Sequence, residues 1–124
     1  MLYKNEALNE IVAVDRFKHL DLSEIDKTFP VPVGTLAILL GLNVEYGNLY
    51  AGHSGFLSGN TIVINEGYPA TRNRFTLSHE ICHYLYDGDS DRFDDTNKYN
   101  KESIEKEIRA NRFAANLLMP QKNL

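Results

Sequence analysis

Hydrophobic residues near the N-terminus recur at a spacing that is typical of a helix. Between residues 5 and 20, the apolar positions Leu8, Ile11, Val12 and Phe17 fall close to one face of a helix with 3.6 residues per turn. Charged and amide side chains stand among them. The pattern therefore predicts an amphipathic helix over residues 5–20.

Two prolines interrupt this pattern and introduce a second helix. The stretch around Pro30 and Pro32 is excluded from a helix interior, because proline has no backbone N–H and restricts the residue before it. Pro32 can instead open a helix over Val33 to Leu40, and Gly41 is a suitable stop at its C-terminus. This short apolar helix is predicted to lie in the core.

Alternation of apolar and polar residues predicts a small sheet in the middle of the chain. Residues 42–46 alternate, as a half-buried strand does. Residues 55–57 and 61–65 are apolar runs separated by Ser58, Gly59 and Asn60, which is a hairpin signal. We therefore expect about three strands between residues 42 and 65.

Two longer helices are predicted in the second half of the chain. The first covers about residues 70–86 and is followed by Gly88, a natural C-terminal stop. The second covers about residues 101–119 and ends before Pro120. The polar residues 87–100 between them are interpreted as a solvated connection and a candidate gate.

The last helix carries one apolar stripe that is predicted to be buried. It is formed by Ile104, Ile108, Ala115 and Leu118. With the other elements, this pattern predicts an α+β fold in which a sheet of about three strands packs with helix 70–86 and the C-terminal helix.

Helix 70–86 contains the motif His79-Glu80-x-x-His83. Positions i and i+4 lie on one helical face, so both imidazoles can reach the same metal ion. Glu80 can then face a water bound to that metal. Zinc lowers the pKa of such a water to about 7, and a nearby carboxylate can take its proton and pass it to a leaving amine. The spacing is typical of zinc peptidases called zincins, with Glu80 as the general base.

Two histidines on one helix can also form a solvated face or a satisfied core pair. The neighbours of this motif are those of a buried helix: Phe75, Leu77, Ile81, Cys82 and Leu85. Ionisable groups are rarely buried among such residues without a partner, so metal binding is favoured. Cys82 is predicted to be a small core residue, with a redox or zinc-blocking thiol as the alternative.

Composition indicates one soluble domain over residues 1–124. The chain is 43% hydrophobic and 24% charged, and its formal charge of −4 gives no support for a nucleic-acid surface. Its one cysteine excludes an intrachain disulfide, which fits a reducing compartment. The sequence shows neither a signal peptide nor an apolar run of the roughly 18 residues that span a bilayer. We therefore expect a cytoplasmic protein without membrane contact.

Two motifs in this order resemble the ImmA/IrrE family of metallopeptidases. Residues 74–83 read RFTLSHEICH, and residues 110–120 read ANRFAANLLMP. The strand that ends in residues 62–65 also fits the family pattern. The resemblance implies a zincin-like fold and a zinc-dependent endopeptidase of the gluzincin type in the bacterial cytoplasm. It further implies that the protein substrate is a helix-turn-helix transcriptional repressor.

The resemblance also implies roles for individual residues. His79 and His83 match the two histidine ligands of zinc, Glu80 matches the catalytic glutamate, and Glu107 matches the carboxylate ligand. Asn111 lies four residues after Glu107 and is predicted to hold that carboxylate in place. Many family members continue further at the C-terminus, so a C-terminal portion absent from this chain is one expectation.

The helical wheel of the last helix also favours Glu107 as the third ligand. At 100° per residue, Glu102, Glu105 and Glu107 cannot share one face. Glu107 borders the stripe predicted to be buried and can reach inward, whereas Arg109 is predicted to point to solvent.

Two further expectations concern the reaction. A substrate segment is expected to add in extended form along an edge strand near residues 62–65. Tyr84, Tyr86, Tyr99 and His53 are candidates for stabilising the oxyanion, although His53 on its loop is expected to face water.

The alternatives to an enzyme are a non-catalytic zinc-binding regulator, in which four protein ligands would close the site, and a helical domain without metal.

Overall fold

Helices and one small sheet form an α+β fold, as predicted. The computed structural model describes residues 2–86 and 101–119, so the predicted connection 87–100, Tyr99 within it and Pro120 lie outside the described residues. The elements in chain order are α1 (Glu6–Ala13), a 3-10 turn (Asp15–Phe17), α2 (Ser23–Lys27), α3 (Val33–Leu39), β1 (Asn43–Gly47), β2 (Gly55–Ser58), β3 (Thr61–Asn65), α4 (Ala70–Tyr86) and α5 (Lys101–Leu118).

The N-terminal helix is shorter than predicted. α1 begins after Asn5, whose side-chain oxygen accepts a hydrogen bond of 3.0 Å from the backbone N–H of Ala7. It ends at Ala13 because Val14 is extended, with φ −77° and ψ 129°. The prediction of one helix over residues 5–20 is therefore wrong, since the apolar spacing continues through a break in the backbone.

The short helix α3 has the termini that its sequence predicts. Pro32 is its N-cap residue, and Gly41 follows with φ 86°, a left-handed conformation that side chains with a Cβ rarely adopt. The buried side chains Val33, Leu36 and Ala37 attach this helix to the core.

The three strands are present, but their order in space differs from the expectation. The sheet has the order β1-β3-β2, with β1 parallel to β3 and β2 antiparallel to β3. β3 is therefore the central strand, and the expectation that residues 62–65 form an edge is wrong. The reason is that β1 pairs with β3 instead of with β2, its neighbour in the chain.

One face of the sheet is covered by helices α3 and α4. Ile62 and Ile64 of β3 and Leu57 of β2 are fully buried at this interface. α4 contributes Ile81 and Cys82, so Cys82 is buried as predicted. No helix within residues 2–86 and 101–119 combines the length and the apolar character needed to cross a membrane.

The buried face of α5 is not the predicted stripe. Its buried residues are Ala110, Phe113, Ala114 and Leu117. Ile104 and Ile108 are instead 42% and 56% exposed. Both stripes satisfy helical spacing, and they are rotated by roughly 130° from each other at 100° per residue. Packing of α5 against α4 and α1 selects the face, and local periodicity does not contain that information.

The position of Arg109 also shows that α5 buries a different face from the predicted one. The wheel predicts that its side chain points to solvent, but Arg109 is half-buried and its guanidinium carbon lies 4.5 Å from the ring centroid of Tyr86. The prediction for Arg109 is therefore wrong, and this side chain connects α5 to the end of α4.

A pair of substitutions distinguishes the two faces of α5. We expect Phe113→Ala to lower the free energy of unfolding by about 3–5 kcal/mol, because it leaves a cavity in the core. Ile108→Ala should change it by about 0.5 kcal/mol or less, because the side chain is mostly in water. Urea denaturation of both variants measures the difference. A larger loss for Ile108→Ala would mean that the predicted stripe is the buried one.

Candidate metal centre

Helix α4 brings the two histidines of the motif together. His79 and His83 lie one turn apart on the same face, and their ring centroids are 4.8 Å apart. Their Nε2 atoms are separated by 3.2 Å. The i, i+4 spacing thus directs both imidazoles to one point, as the sequence predicts.

Glu107 reaches the same point from α5. Its Oε1 lies 2.9 Å from Nε2 of His79, and its Oε2 lies 3.0 Å from Nε2 of His83. One ligand atom from each of the three residues falls within 4.8 Å of the others. This is close enough for His79, His83 and Glu107 to hold one metal ion.

The charges at this point already complement one another. Burial raises the pKa of Glu107, but hydrogen bonds with His79 and His83 outweigh it and hold this pKa well below its usual range. Burial lowers the pKa of His79, but the hydrogen bond with Glu107 and the negative charge of Glu80 raise it above its ordinary value. These contacts therefore favour the ionised form of the Glu107 carboxylate.

The donor set fits zinc. Two imidazole nitrogens and one carboxylate oxygen are the protein ligands of many zinc hydrolases, which keep a fourth position open. Glu80 places a second carboxylate beside these ligands and is only 6% exposed.

Asn111, which was predicted to support Glu107, contacts a histidine of the other helix. Its Oδ1 lies 2.8 Å from Nδ1 of His79. An amide oxygen can only accept, so Nδ1 of His79 donates to it, and this hydrogen bond fixes the ring with Nε2 directed at Glu107. The sequence predicted only a contact of Asn111 with Glu107. It did not predict the hydrogen bond with His79, because this bond joins two different helices, α5 and α4.

An open cleft of about 310 Å³ exposes this centre. Its described lining consists of Ser54, Gly55, Phe75, Thr76, His79, Glu80, Glu107 and Asn111. Glu80 therefore faces the same space as His79 and Glu107. The cleft lies between strand β2 on one side and helix α5 on the other, with α4 as its floor.

The contribution of β2 to this cleft was not predicted from the sequence. A Cβ atom on Gly55 would fall 2.5 Å from the backbone oxygen of Val63 and 2.9 Å from Cγ2 of Thr76. Only glycine allows β2 to lie so close to β3 and α4. The available signal was a glycine at the start of a strand pattern, which often marks a close approach of backbone.

A small polar cluster fastens the loop before β2 to the start of α4. Nε and Nη2 of Arg72 donate to Oγ of Ser54 at 3.1 Å and 2.9 Å. The Arg72 guanidinium lies 3.7 Å from the ring centroid of Tyr68, and Tyr68 accepts a hydrogen bond from the backbone N–H of Gly52. Ser54 is thereby held at the edge of the cleft.

Two of the tyrosines proposed for the oxyanion, Tyr84 and Tyr86, are engaged elsewhere. The hydroxyl of Tyr84 lies 3.5 Å from the backbone oxygen of Leu40, and the hydroxyl of Tyr86 donates to Glu10 at 2.8 Å. His53 is exposed, as expected, and does not belong to the described lining of the cleft. The structure therefore brings none of these three side chains to the candidate centre.

The comparisons with known proteins agree with this geometry. A sequence profile of the IrrE N-terminal-like domain, Peptidase_M78, matches residues 32–124, which is more than half of the chain. A comparison with curated proteins found no match. The matched range contains α3, the sheet, α4 and α5, including all three residues that surround the candidate metal position. The chain belongs to the Peptidase_M78 family of IrrE N-terminal-like domains.

Proposed function

We propose that this protein is a zinc-dependent endopeptidase. In this proposal His79, His83 and Glu107 hold zinc, and Glu80 is the general base. The observation that carries the proposal is the convergence of three ligand atoms within 4.8 Å from two different helices. Membership of a peptidase family supports it independently.

The number of protein ligands separates this proposal from a non-catalytic zinc site. A structural zinc site uses four protein ligands. Within residues 2–86 and 101–119, the group that could hold a metal contains three. The cleft beside these residues would give a substrate and a water molecule access to a bound metal, and this favours the enzyme over the regulator.

The chemistry divides between the metal and the chain. When bound, zinc supplies Lewis-acid chemistry that acidifies water and polarises a carbonyl. The Glu80 carboxylate takes a proton from the attacking water and delivers it to the leaving amine. Its burial removes competing solvent from this carboxylate and favours proton transfer between Glu80 and the reactants.

The edge of β2 that faces away from β3 is the surface that we propose for the substrate main chain. The backbone N–H of Asn65 donates to the oxygen of Ser54 at 2.8 Å, so Ser54 faces β3. In an antiparallel pair the direction alternates, and the main-chain groups of Gly55, which is only partly buried, therefore face away from β3. An extended peptide can add to them by β-augmentation. This edge replaces the one expected at residues 62–65.

The proposed substrate is an intracellular helix-turn-helix transcriptional repressor. The resemblance to the ImmA/IrrE family supports this substrate class and a location in the bacterial cytoplasm. The net charge of −4 gives no support for a nucleic-acid surface, so the proposal has the protein act on the repressor itself.

The first prediction concerns Glu80. We expect Glu80→Gln to retain zinc and to lose about 10²- to 10⁴-fold in turnover, because this side chain moves a proton but does not bind the metal. Zinc content is measured by elemental analysis. Turnover is measured by mass spectrometry on a helix-turn-helix repressor encoded beside the gene. Undiminished cleavage by the variant would remove Glu80 from the mechanism.

The second prediction identifies the third ligand. Glu107→Ala should weaken zinc binding strongly, whereas Glu105→Ala, which removes an exposed carboxylate of the same helix, should leave it unchanged. Titration of the metal-free variants against a chromophoric chelator gives both affinities. Equal affinities would show that the carboxylate ligand is wrongly assigned.

The third prediction concerns Asn111. Loss of its hydrogen bond should free the orientation of the His79 ring, so Asn111→Ala is expected to lower zinc affinity about 10- to 100-fold. Arg112→Ala is the matched control, since Arg112 is the exposed neighbour on the same helix. The same chelator titration applies. An affinity for Asn111→Ala equal to that of the control would show that His79 is oriented by other contacts.

A further inference from the structure

Phe75 is the large apolar side chain in an otherwise polar or small cleft lining. The other described lining residues are Ser54, Gly55, Thr76, His79, Glu80, Glu107 and Asn111. Phe75 is 38% exposed, whereas Leu77 and Ile81 of the same helix are 5% and 0% exposed. The ring of Phe75 is therefore an aromatic surface that is open to the cleft, in contrast to the buried Leu77 and Ile81.

The position of Phe75 relates it directly to the metal centre. It precedes His79 by one helical turn, so both side chains lie on the same face of α4. The two ring centroids are 6.3 Å apart, with an angle of 39° between the ring planes. Four residues of helix correspond to a rise of about 6 Å. An aromatic wall thus begins one turn from the histidine ligand.

This distance corresponds to one or two residues of an extended substrate. Residues in a β-strand advance by about 3.4 Å each, and successive side chains point to opposite sides. A peptide added to β2, with its scissile bond at the metal centre, would therefore place a side chain within one or two positions of that bond against Phe75. Its main chain would occupy the side of the cleft formed by Gly55.

We propose that Phe75 is a specificity-determining residue that selects a bulky apolar side chain next to the scissile bond. This inference rests on the proposed function, because it defines the substrate class of the same site. An aromatic or branched aliphatic side chain would lose its contact with water against the ring. A charged or amide side chain would lose hydration there without gaining a hydrogen-bond partner from the phenyl group.

Binding without turnover provides the main test. The full-length chain carrying Glu80→Gln is loaded with zinc and used to select phage-displayed peptides that are randomised at every position. We expect Phe, Leu, Ile or Met to be enriched at one position of the selected peptides. Selection without any apolar enrichment, or no selection of peptides, overturns the role proposed for Phe75.

Substitutions of Phe75 in the same Glu80→Gln protein show whether the ring is responsible. Phe75→Ser should reduce the apolar enrichment by roughly 10- to 200-fold, and Phe75→Leu should preserve it. Phe75→Gln is a second polar variant that retains more volume. Phe29→Ser is the matched control, because Phe29 is 72% exposed and lies outside the cleft lining. Zinc content and melting temperature verify that each variant is folded. Unchanged enrichment with Phe75→Ser and Phe75→Gln overturns the proposal.

Digestion by the unsubstituted protein separates this inference from the proposed function. The zinc-loaded protein is incubated with the synthetic library of the same design, and products are identified by mass spectrometry. Apolar enrichment in the binding experiment without any cleavage would contradict the endopeptidase function and leave the apolar subsite standing. Cleavage that shows no preference for an apolar side chain near the cut would contradict the role of Phe75 and leave the endopeptidase function standing.

Discussion

The contact of the Glu107 carboxylate with two imidazoles is the interaction on which the candidate centre depends. Its oxygens lie 2.9 Å and 3.0 Å from Nε2 of His79 and His83. This contact requires α5 to approach α4 closely. Ala110 and Ala114 are fully buried on α5, and their small side chains permit that approach. The alanines of the second sequence motif thus have a physical role, since they allow the carboxylate to reach the histidines.

Support for α5 comes from a part of the chain outside the family match. The Nδ2 group of Asn5 donates to the backbone oxygen of Leu117 at 3.0 Å in a buried position. Glu10 of α1 accepts the hydrogen bond of Tyr86 at the end of α4. Residues before the matched range 32–124 therefore stabilise the ends of both helices that carry the candidate ligands. The metal position is built on helices, and the proposed substrate edge is built on the strand β2, which Arg72 and Ser54 hold in place.

Several features of the fold follow from local rules and were predictable from the sequence. The i, i+4 spacing of His79 and His83 directs both rings to one point in any α-helix. Proline at position 32 and glycine at position 41 delimit α3 because of their backbone restrictions and freedoms. The turn at Gly59, with φ 60°, joins β2 and β3 for the same reason. Each of these features depends on neighbouring residues only, so a sequence pattern suffices to predict it.

Other features were decided by contacts between distant residues. The face of α5 that is buried, the central position of β3 and the hydrogen bond of Asn111 with His79 all depend on packing between separate elements. The wheel of α5 contains two apolar stripes, and the sequence predicted Glu107 from a stripe that proved to be exposed. Glu107 borders both stripes, so its inward position agreed with either choice. By itself the sequence determined the elements from α3 to α5 and the histidine pair. The tertiary structure decided which faces meet, because helical and strand periodicity describe a single element and contain no information on its partner.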